Sequence, residues 1–167
     1  MEVEAVKADI GLIGLGVMGQ NLALNMARNG YRAVVYNRTP GVTQRFMEGP
    51  ARGAENVISA ATIEGLVSSL ERPRRIMLMV KAGPAVDAVI EQLDSYLGTD
   101  DIIIDGGNSH FKDTARRAAA LEAAGLRYRN WQAKASGFIP GMKRSSLRPA
   151  RRSRAIARCR LMAHMVQ

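Results

Sequence analysis

A glycine-rich turn between a strand pattern and a helix pattern constrains the fold of this chain more than any other feature. An apolar segment over residues 8–14 leads into Gly14-Leu-Gly-Val-Met-Gly19, which has the spacing G-x-G-x-x-G. Residues 17–29 have the apolar periodicity of a helix, and residues 32–37 form a second apolar strand pattern. The glycine spacing alone is weak evidence, but in this order it predicts a βαβ unit that binds a dinucleotide.

The three glycines of this turn have separate expected tasks. Gly14 lets the chain turn off the strand, Gly16 lets a pyrophosphate approach the backbone, and Gly19 lets the helix pack against the strand. The helix that begins near Val17 would direct its free N–H groups and the positive end of its dipole towards the phosphates. A tight strand–helix turn that binds no ligand is the alternative.

The end of the second strand predicts which nucleotide binds. Sites for NAD usually carry Asp or Glu there, and such a carboxylate bonds the ribose hydroxyls and would repel a 2′-phosphate. This chain has Asn37, Arg38 and Thr39 instead. Arg38 can pair with a 2′-phosphate and the other two can add neutral hydrogen bonds, so we predict NADP rather than NAD. A solvated surface arginine is the alternative for Arg38.

Charge divides the chain into two compositions. Residues 1–126 hold 13 basic and 15 acidic residues, a net charge of −2, whereas residues 127–167 hold 11 basic residues and no acidic one. We predict a dinucleotide-binding domain over 1–128 and a basic, disordered tail over 129–167. A nucleic-acid-binding arm and an out-of-frame translation product are alternatives for the tail. The neighbouring frames of the coding DNA would test the second alternative.

Other features predict what the chain does not contain. No apolar run approaches the length of a membrane span, and the amino terminus, with Glu2 and Glu4, lacks the pattern of a secretory signal. Cys159 is the single cysteine, and His110 and His164 have no ligand pattern around them. We therefore expect no membrane segment, no intrachain disulfide, no metal site and a reducing cytoplasm.

Strand and helix patterns alternate along the rest of the predicted domain. Further helices are predicted over 40–46, 62–70, 84–97 and 111–124, strands over 74–80 and 101–105, and a last strand from residue 126, with 49–61 less regular. This alternation predicts an α/β fold, a Rossmann-like doubly wound parallel sheet. Ligands of such sheets bind beyond the carboxyl ends of the strands, where we expect Gly14, Asn37, Lys81 and Asn108.

Four segments together resemble one protein family. They are Gly14–Gly19, Tyr36-Asn-Arg-Thr39, Arg74-Arg-Ile-Met-Leu-Met-Val-Lys-Ala-Gly83 and Asp101-Ile-Ile-Ile-Asp-Gly-Gly-Asn-Ser109. In this order and spacing, over residues 7–128, they closely resemble the cofactor domain of the decarboxylating 6-phosphogluconate dehydrogenases. The wider β-hydroxyacid dehydrogenase group shares the glycine turn, but the last two segments resemble the phosphogluconate branch.

The resemblance implies an activity and a set of binding residues. Members of this family oxidise 6-phosphogluconate at C3 with NADP, and the keto acid then loses CO2 to give ribulose 5-phosphate. By resemblance, the pyrophosphate is held by Gly14, Leu15, Gly16, Val17, Met18 and Gly19, the 2′-phosphate by Asn37, Arg38 and Thr39, and the cofactor cleft is lined by Val80, Lys81 and Ala82. Asn108 would contact both the nicotinamide and the substrate.

Some of these positions also have structural interpretations. Lys81 can be a solvated lysine at a strand end, and Asn108 can be a turn residue that bonds its own backbone. We interpret Asp105 and Ser109 as structural residues. Asp105 is expected to brace the Gly-Gly turn that follows it.

The similarity stops near residue 129. The family continues into a Gly-Val-Ser-Gly-Gly-Glu-Glu-Gly-like substrate loop and a large helical domain, which supplies the lysine base, the glutamate acid and the dimer contacts. This chain has Arg129-Asn-Trp-Gln-Ala-Lys-Ala-Ser-Gly instead and ends at Gln167. We identify no catalytic residue, and we expect the fold to lack the helical domain of the family.

We expect this chain to bind NADP without turning over 6-phosphogluconate. A general base has to reach the substrate hydroxyl within hydrogen-bond distance, and we find no candidate for it in the sequence. A coupled assay of NADPH formation is expected to show no turnover, and family-like turnover would contradict this expectation.

Two alternative functions stay open at the level of sequence. One is a dehydrogenase of the wider β-hydroxyacid group that acts on a smaller substrate. The other is a non-catalytic nucleotide-binding module with a cationic tail. Salt-dependent binding of DNA or RNA, lost on truncation at residue 130, would favour this second alternative.

Overall fold

Six strands and five helices alternate along residues 7–130, the part of the chain that the computed structural model describes. The elements are β1 (Ile10–Ile13), α1 (Val17–Arg28), β2 (Ala33–Tyr36), α2 (Pro40–Glu48), β3 (Val57–Ser59), α3 (Ile63–Ser68), β4 (Arg75–Leu78), α4 (Pro84–Asp94), β5 (Ile102–Asp105), α5 (Phe111–Ala123) and β6 (Arg127–Asn130). The strands form one sheet in the order β3-β2-β1-β4-β5-β6, and every neighbouring pair is parallel. The prediction of a Rossmann-like α/β fold is confirmed.

Helices cover the sheet on both faces because successive side chains of a strand point to opposite sides. On one face, Met26 of α1 and Phe46 of α2 pack in apolar clusters with side chains of the strands. On the other face, Leu66 of α3, Leu93 of α4 and Leu121 of α5 share a larger cluster. The apolar runs of the strands are therefore buried from both sides, as expected for a parallel sheet.

The register of the strands brings four strand ends to one level. Ile13 of β1 lies beside Tyr36 of β2 on one side and beside Leu78 of β4 on the other, and Leu78 lies beside Asp105 of β5. The loops after these four strands consequently leave the same edge of the sheet. The strand order also reverses at β1, and such a reversal is where open α/β sheets bind their ligands.

The structure differs from the predicted elements in two places. Residues 49–61 were predicted to be less regular, which is wrong for Val57–Ser59: these residues form β3 and pair with β2 at the edge of the sheet. A strand of three residues is too short to give an alternating pattern, and its pairing with β2 holds it in place. β6 also includes Arg129 and Asn130, which we assigned to the tail. The rest of the predicted tail, 131–167, lies outside the described residues, and the domain boundary stays a prediction.

The described residues contain neither a cluster of metal ligands nor a membrane-spanning helix. Within 7–130, no group of three or more His, Cys, Asp and Glu side chains is placed to hold a metal ion. No helix in the same range is long and apolar enough to cross a bilayer. His110 has a structural contact, because its Nδ1 accepts a hydrogen bond at 3.4 Å from the N–H of Lys112 at the start of α5.

Candidate dinucleotide-binding site

The turn after β1 has a backbone conformation that favours glycine. Gly14 has a φ of +105°, which L side chains rarely adopt. A Cβ atom at this position would lie 2.5 Å from the carbonyl oxygen of Met79, in the loop after β4. The N–H of Gly14 donates to the carbonyl of Tyr36 at 2.9 Å. The turn is thereby packed between the ends of β2 and β4, with no room for a side chain at Gly14.

The other two glycines of the motif differ in what surrounds them. A Cβ atom on Gly19 would overlap the carbonyl oxygen of Gly14, so glycine is needed there for α1 to approach the turn. A Cβ atom on Gly16 would meet no atom of residues 7–130 within 4 Å, and the φ of Gly16, −67°, suits any residue. Packing among the described residues gives no reason for a glycine at position 16. The close approach of a ligand to the backbone would give a reason for a glycine there.

The amino terminus of α1 opens at this same position. Gly16 is the N-cap, no side chain in the described part of the chain caps the helix, and the first turn contains no acidic residue. The first N–H groups of a helix have no partner within the helix and attract anions. Val17 and Met18, in that first turn, are 77% and 70% exposed. An uncapped helix terminus beside an open glycine fits the pyrophosphate of a dinucleotide.

Asn37 holds the glycine turn through its side chain. Its Oδ1 accepts a hydrogen bond from the N–H of Leu15 at 3.0 Å, and its Nδ2 donates to the carbonyl of Thr39 at 3.3 Å. Gln20 braces the turn from the other side, because its Nε2 donates to the Leu15 carbonyl at 2.9 Å. The side chain of Leu15 is buried, so it would contribute to ligand binding through its backbone. The role of Gln20 cannot be predicted from the sequence, because nothing in a polar residue of a helix indicates that it bonds the backbone of the turn that precedes the helix.

Arg38 and Thr39 lie just beyond the end of β2, next to the glycine turn. Arg38 is exposed and forms no hydrogen bond or ion pair with the described residues. Thr39 is the N-cap of α2, but its hydroxyl makes no capping hydrogen bond. Neither residue is a carboxylic acid, so this strand end carries a cation and a hydroxyl where an NAD site carries a carboxylate.

The loops after β4 and β5 carry the other predicted residues. Val80 packs against the apolar cluster of α3, α4 and α5, Ala82 is half-buried, and Lys81 and Asn108 are exposed. β1 and β4 lie between β2 and β5, so the ends of β2 and β5 are separated by three strand spacings, about 14 Å. Arg38 and Asn108 can therefore contact only opposite ends of one extended ligand.

Asp105 braces the Gly-Gly turn, as predicted. Its Oδ1 accepts a hydrogen bond from the N–H of Gly107 at 3.0 Å. Its Oδ2 accepts from the hydroxyl of Ser109 at 2.6 Å and from the hydroxyl of Tyr128 at 2.8 Å. Burial, with the hydrogen bond to Asp105, raises the pKa of Tyr128. The Tyr128 hydroxyl therefore keeps its proton at ordinary pH and stays a donor to the carboxylate.

Sequence analysis missed a buried arginine beside this turn. Arg117 of α5 is 2% exposed and donates to both carboxylate oxygens of Asp87 in α4, at 2.9 and 2.8 Å. The hydrogen bond from Arg117 is the main reason that the pKa of Asp87 falls to about 2. Arg117 lies four residues before the buried Leu121, so it is on the apolar face of α5. A charged residue on that face is a signal that could have pointed to a buried partner.

Comparison with known proteins identifies the family. A family model described as the NAD binding domain of 6-phosphogluconate dehydrogenase matches residues 9–131. The chain belongs to this 6-phosphogluconate dehydrogenase family. The decarboxylating 6-phosphogluconate dehydrogenase of Treponema pallidum (strain Nichols) is 58% identical over 121 residues, which are 72% of this chain and 25% of that protein. The chain thus spans about a quarter of the length of the curated relatives it matches, and the resemblance stated from sequence is confirmed.

Solved structures support the same family. The 6-phosphogluconate dehydrogenase of Plasmodium falciparum has a TM-score of 0.67 and 42% sequence identity, covering 72% of this chain and 26% of that one. It is known in its apo form, with its cofactor NADP+ and with its substrate 6-phosphogluconate. The 3-hydroxyisobutyrate dehydrogenase of Mycobacterium tuberculosis has a TM-score of 0.61 at 16% identity, covering 74% of this chain and 40% of that one. At that identity the likeness shows the fold alone.

Proposed function

We propose that this chain is the NADP-binding part of a decarboxylating 6-phosphogluconate dehydrogenase. The observation that carries the proposal is Arg38, an exposed cation beside the glycine turn that has no ion-pair partner among residues 7–130. A guanidinium at this strand end attracts a 2′-phosphate, whereas the carboxylate of an NAD site would repel it. The P. falciparum relative, which binds NADP+, supports the same cofactor for this chain.

Three parts of the edge would hold three parts of the cofactor. The backbone of Gly14–Gly19 and the amino terminus of α1 would hold the pyrophosphate. Arg38 and Thr39 would bind the 2′-phosphate, with Asn37 bracing the turn beside them. The loops with Val80, Lys81, Ala82 and Asn108 would surround the nicotinamide, which accepts a hydride when the cofactor is bound.

The complete reaction extends beyond what residues 7–130 supply. We propose 6-phosphogluconate as the substrate, contacted from this chain by Asn108, and ribulose 5-phosphate and CO2 as the products. We assign cofactor binding to the described residues and no proton transfer. The family homodimer and the cytoplasmic location expected from the single cysteine stay predictions.

Replacement of Arg38 by alanine tests the cofactor assignment. Arg38→Ala is expected to lower the affinity for NADP about 10- to 100-fold, because a hydrogen bond to a charged group contributes about 1.5–3 kcal/mol and each 1.4 kcal/mol is tenfold. The affinity for NAD, which lacks the 2′-phosphate, should stay nearly unchanged. Calorimetric titration of both nucleotides into both proteins measures the two effects.

Arg28→Ala is the matched control for this titration. Arg28 is also exposed, but it lies in the last turn of α1, at the opposite edge of the sheet. Its removal changes the net charge by the same amount and should leave both affinities unchanged. An Arg38→Ala protein that binds NADP as tightly as the wild type, or a wild type that prefers NAD, would contradict the proposed cofactor.

A further inference from the structure

A polar cluster around a buried arginine links the two loops at the nicotinamide end of the proposed site. We call it the Arg117 cluster; its members are Arg117, Asp87, Asp105, Ser109 and Tyr128. Arg117 lies on α5 and Asp87 on α4. Asp105 ends β5, Ser109 lies in the loop after β5, and Tyr128 lies on β6. Arg117, Asp105 and Tyr128 are all buried. Buried charges are usually paired because an unpaired charge in the interior costs much free energy.

One side of the Arg117 guanidinium holds the loop after β4. Its Nη2 donates to the carbonyl of Gly83 at 2.9 Å, and the bidentate pair with Asp87 fixes the first turn of α4. Gly83 has a φ of +96° and is the N-cap of α4, so the chain turns sharply there. This turn follows directly on Val80–Ala82. The guanidinium is thus tied to the backbone that ends the cofactor-lining segment.

The other side of the guanidinium holds the loop after β5. Its Nη1 donates to the hydroxyl of Ser109 at 3.4 Å and lies 3.8 Å from Oδ2 of Asp105. Asp105 in turn accepts hydrogen bonds from Gly107 and Ser109. Asn108 therefore lies between two anchored residues, and its exposed side chain projects from a loop whose backbone is held. A planar guanidinium with five donors can make these contacts together, which a lysine cannot.

The pair of Arg117 and Asp87 stays charged over the ordinary pH range. The hydrogen bond from Arg117 holds the pKa of Asp87 low, and the bond to Asp87 raises the pKa of Arg117 further above its usual value. The ion pair that joins α5 to α4 therefore does not depend on protonation in that range.

From this geometry we infer that Arg117 is a positioning residue for the nicotinamide half of NADP. It ties the loops after β4 and β5 to each other and so sets the gap between Val80–Ala82 and Asn108. The inference rests on the proposed function, since Arg38 places the 2′-phosphate at β2 and leaves β4 and β5 for the other end of the cofactor. The adenosine end of NADP would lie at β2, two strand positions from β4 and three from β5, so its binding should not depend on Arg117.

Two ligands separate positioning from a general effect on the fold. NADP spans the whole edge, whereas 2′,5′-ADP contains only the adenosine part with its phosphates. Arg117→Lys keeps the positive charge beside Asp87 but cannot reproduce the forked contacts. In the full 167-residue chain we expect it to weaken NADP binding about tenfold, because small displacements of positioning groups have large effects. Binding of 2′,5′-ADP should be unchanged.

Arg116→Ala is the control variant. Arg116 precedes Arg117, also donates to Asp87, at 2.9 Å, and is exposed at the surface of α5. Its two ion-pair partners, Asp87 and Asp113, both lie on helices, so its loss should change neither affinity. If Arg117→Lys does not fold, Ser109→Ala tests the same tether, since it removes the hydroxyl that accepts from Nη1 of Arg117 and donates to Asp105.

Hydrogen exchange of the ligand-free chain provides a second, independent readout. Arg117→Lys is expected to speed exchange of the Gly107 N–H, which bonds Asp105, while the Gly14 N–H, which bonds Tyr36 across the sheet, keeps its rate. The inference would be overturned if Arg117→Lys lowered the affinities for NADP and 2′,5′-ADP equally or left the affinity for NADP unchanged. An unchanged exchange rate of the Gly107 N–H in this variant would also overturn it. A wild type that binds NADP no better than 2′,5′-ADP would also overturn it. A wild type that binds neither ligand would instead contradict the proposed function, and the exchange rates would still decide whether Arg117 holds the loops.

Discussion

Gly19→Ala is expected to destabilise this fold by about 3 kcal/mol, near the upper end of overpacking costs. Within a helix, replacement of glycine by alanine normally stabilises by about 0.5–1 kcal/mol, because alanine loses less conformational freedom on folding. Here the new Cβ atom would overlap the carbonyl oxygen of Gly14, which the turn holds in place. A backbone atom cannot move aside as the end of a flexible side chain can, so the steric effect decides the sign.

Thermal unfolding followed by circular dichroism measures this effect against a control from the same turn. At about 4 °C per kcal/mol, the Gly19→Ala chain should melt roughly 12 °C below the wild type. Gly16→Ala, three residues earlier, adds a Cβ atom that meets none of the described atoms within 4 Å, and the free energy of unfolding of this variant should differ from that of the wild type by less than about 0.5 kcal/mol. Equal melting temperatures for the wild type and Gly19→Ala would contradict the close packing of α1 on the turn.

The parts of the fold that could be predicted are those whose sequence signal is local and steric. The βαβ unit follows from two apolar runs and three glycines, and two of these, Gly14 and Gly19, are required by contacts with backbone atoms. β3 could not be predicted, because two of its three residues, Ile58 and Ser59, are exposed and its pairing with β2 stabilises it. A strand that is stabilised mainly by pairing with its neighbour has little recognisable pattern in its own sequence.

The candidate site was predictable in position but not in its internal bonds. The residues at the four strand ends follow from the parallel sheet, whose carboxyl ends share one edge. The bond of Asn37 to Leu15 joins residues 22 positions apart, and the pair of Arg117 with Asp87 joins residues 30 positions apart. The residue types of Asn37 and Arg117, taken by themselves, are equally compatible with side chains on a solvated surface. The position of Arg117 on the apolar face of α5 points to burial, but only the packing of the helices identifies Asp87 as its partner.

Gly16→Ala is expected to lower the affinity for NADP at least about a hundredfold while leaving the fold intact. The added methyl group would stand in the open space before the amino terminus of α1, where the pyrophosphate has to approach the backbone. Loss of two hydrogen bonds to a charged group, each contributing about 1.5–3 kcal/mol, gives an effect of this size. Calorimetric titration of NADP into the variant and the wild type measures it.

The affinities for NAD and NADP together distinguish the effect of Gly16→Ala from that of Arg38→Ala. NAD and NADP share the pyrophosphate, so Gly16→Ala should weaken both to a similar degree, whereas Arg38→Ala should weaken NADP alone. Gly98→Ala is the control, because its Cβ atom would meet Arg72 only at an ordinary contact distance of 3.4 Å, beside the start of β5 at the opposite edge of the sheet. Since the Gly16→Ala chain should melt like the wild type, unfolding cannot account for a loss of binding. Undiminished binding of both nucleotides would show that no phosphate approaches the backbone at Gly16.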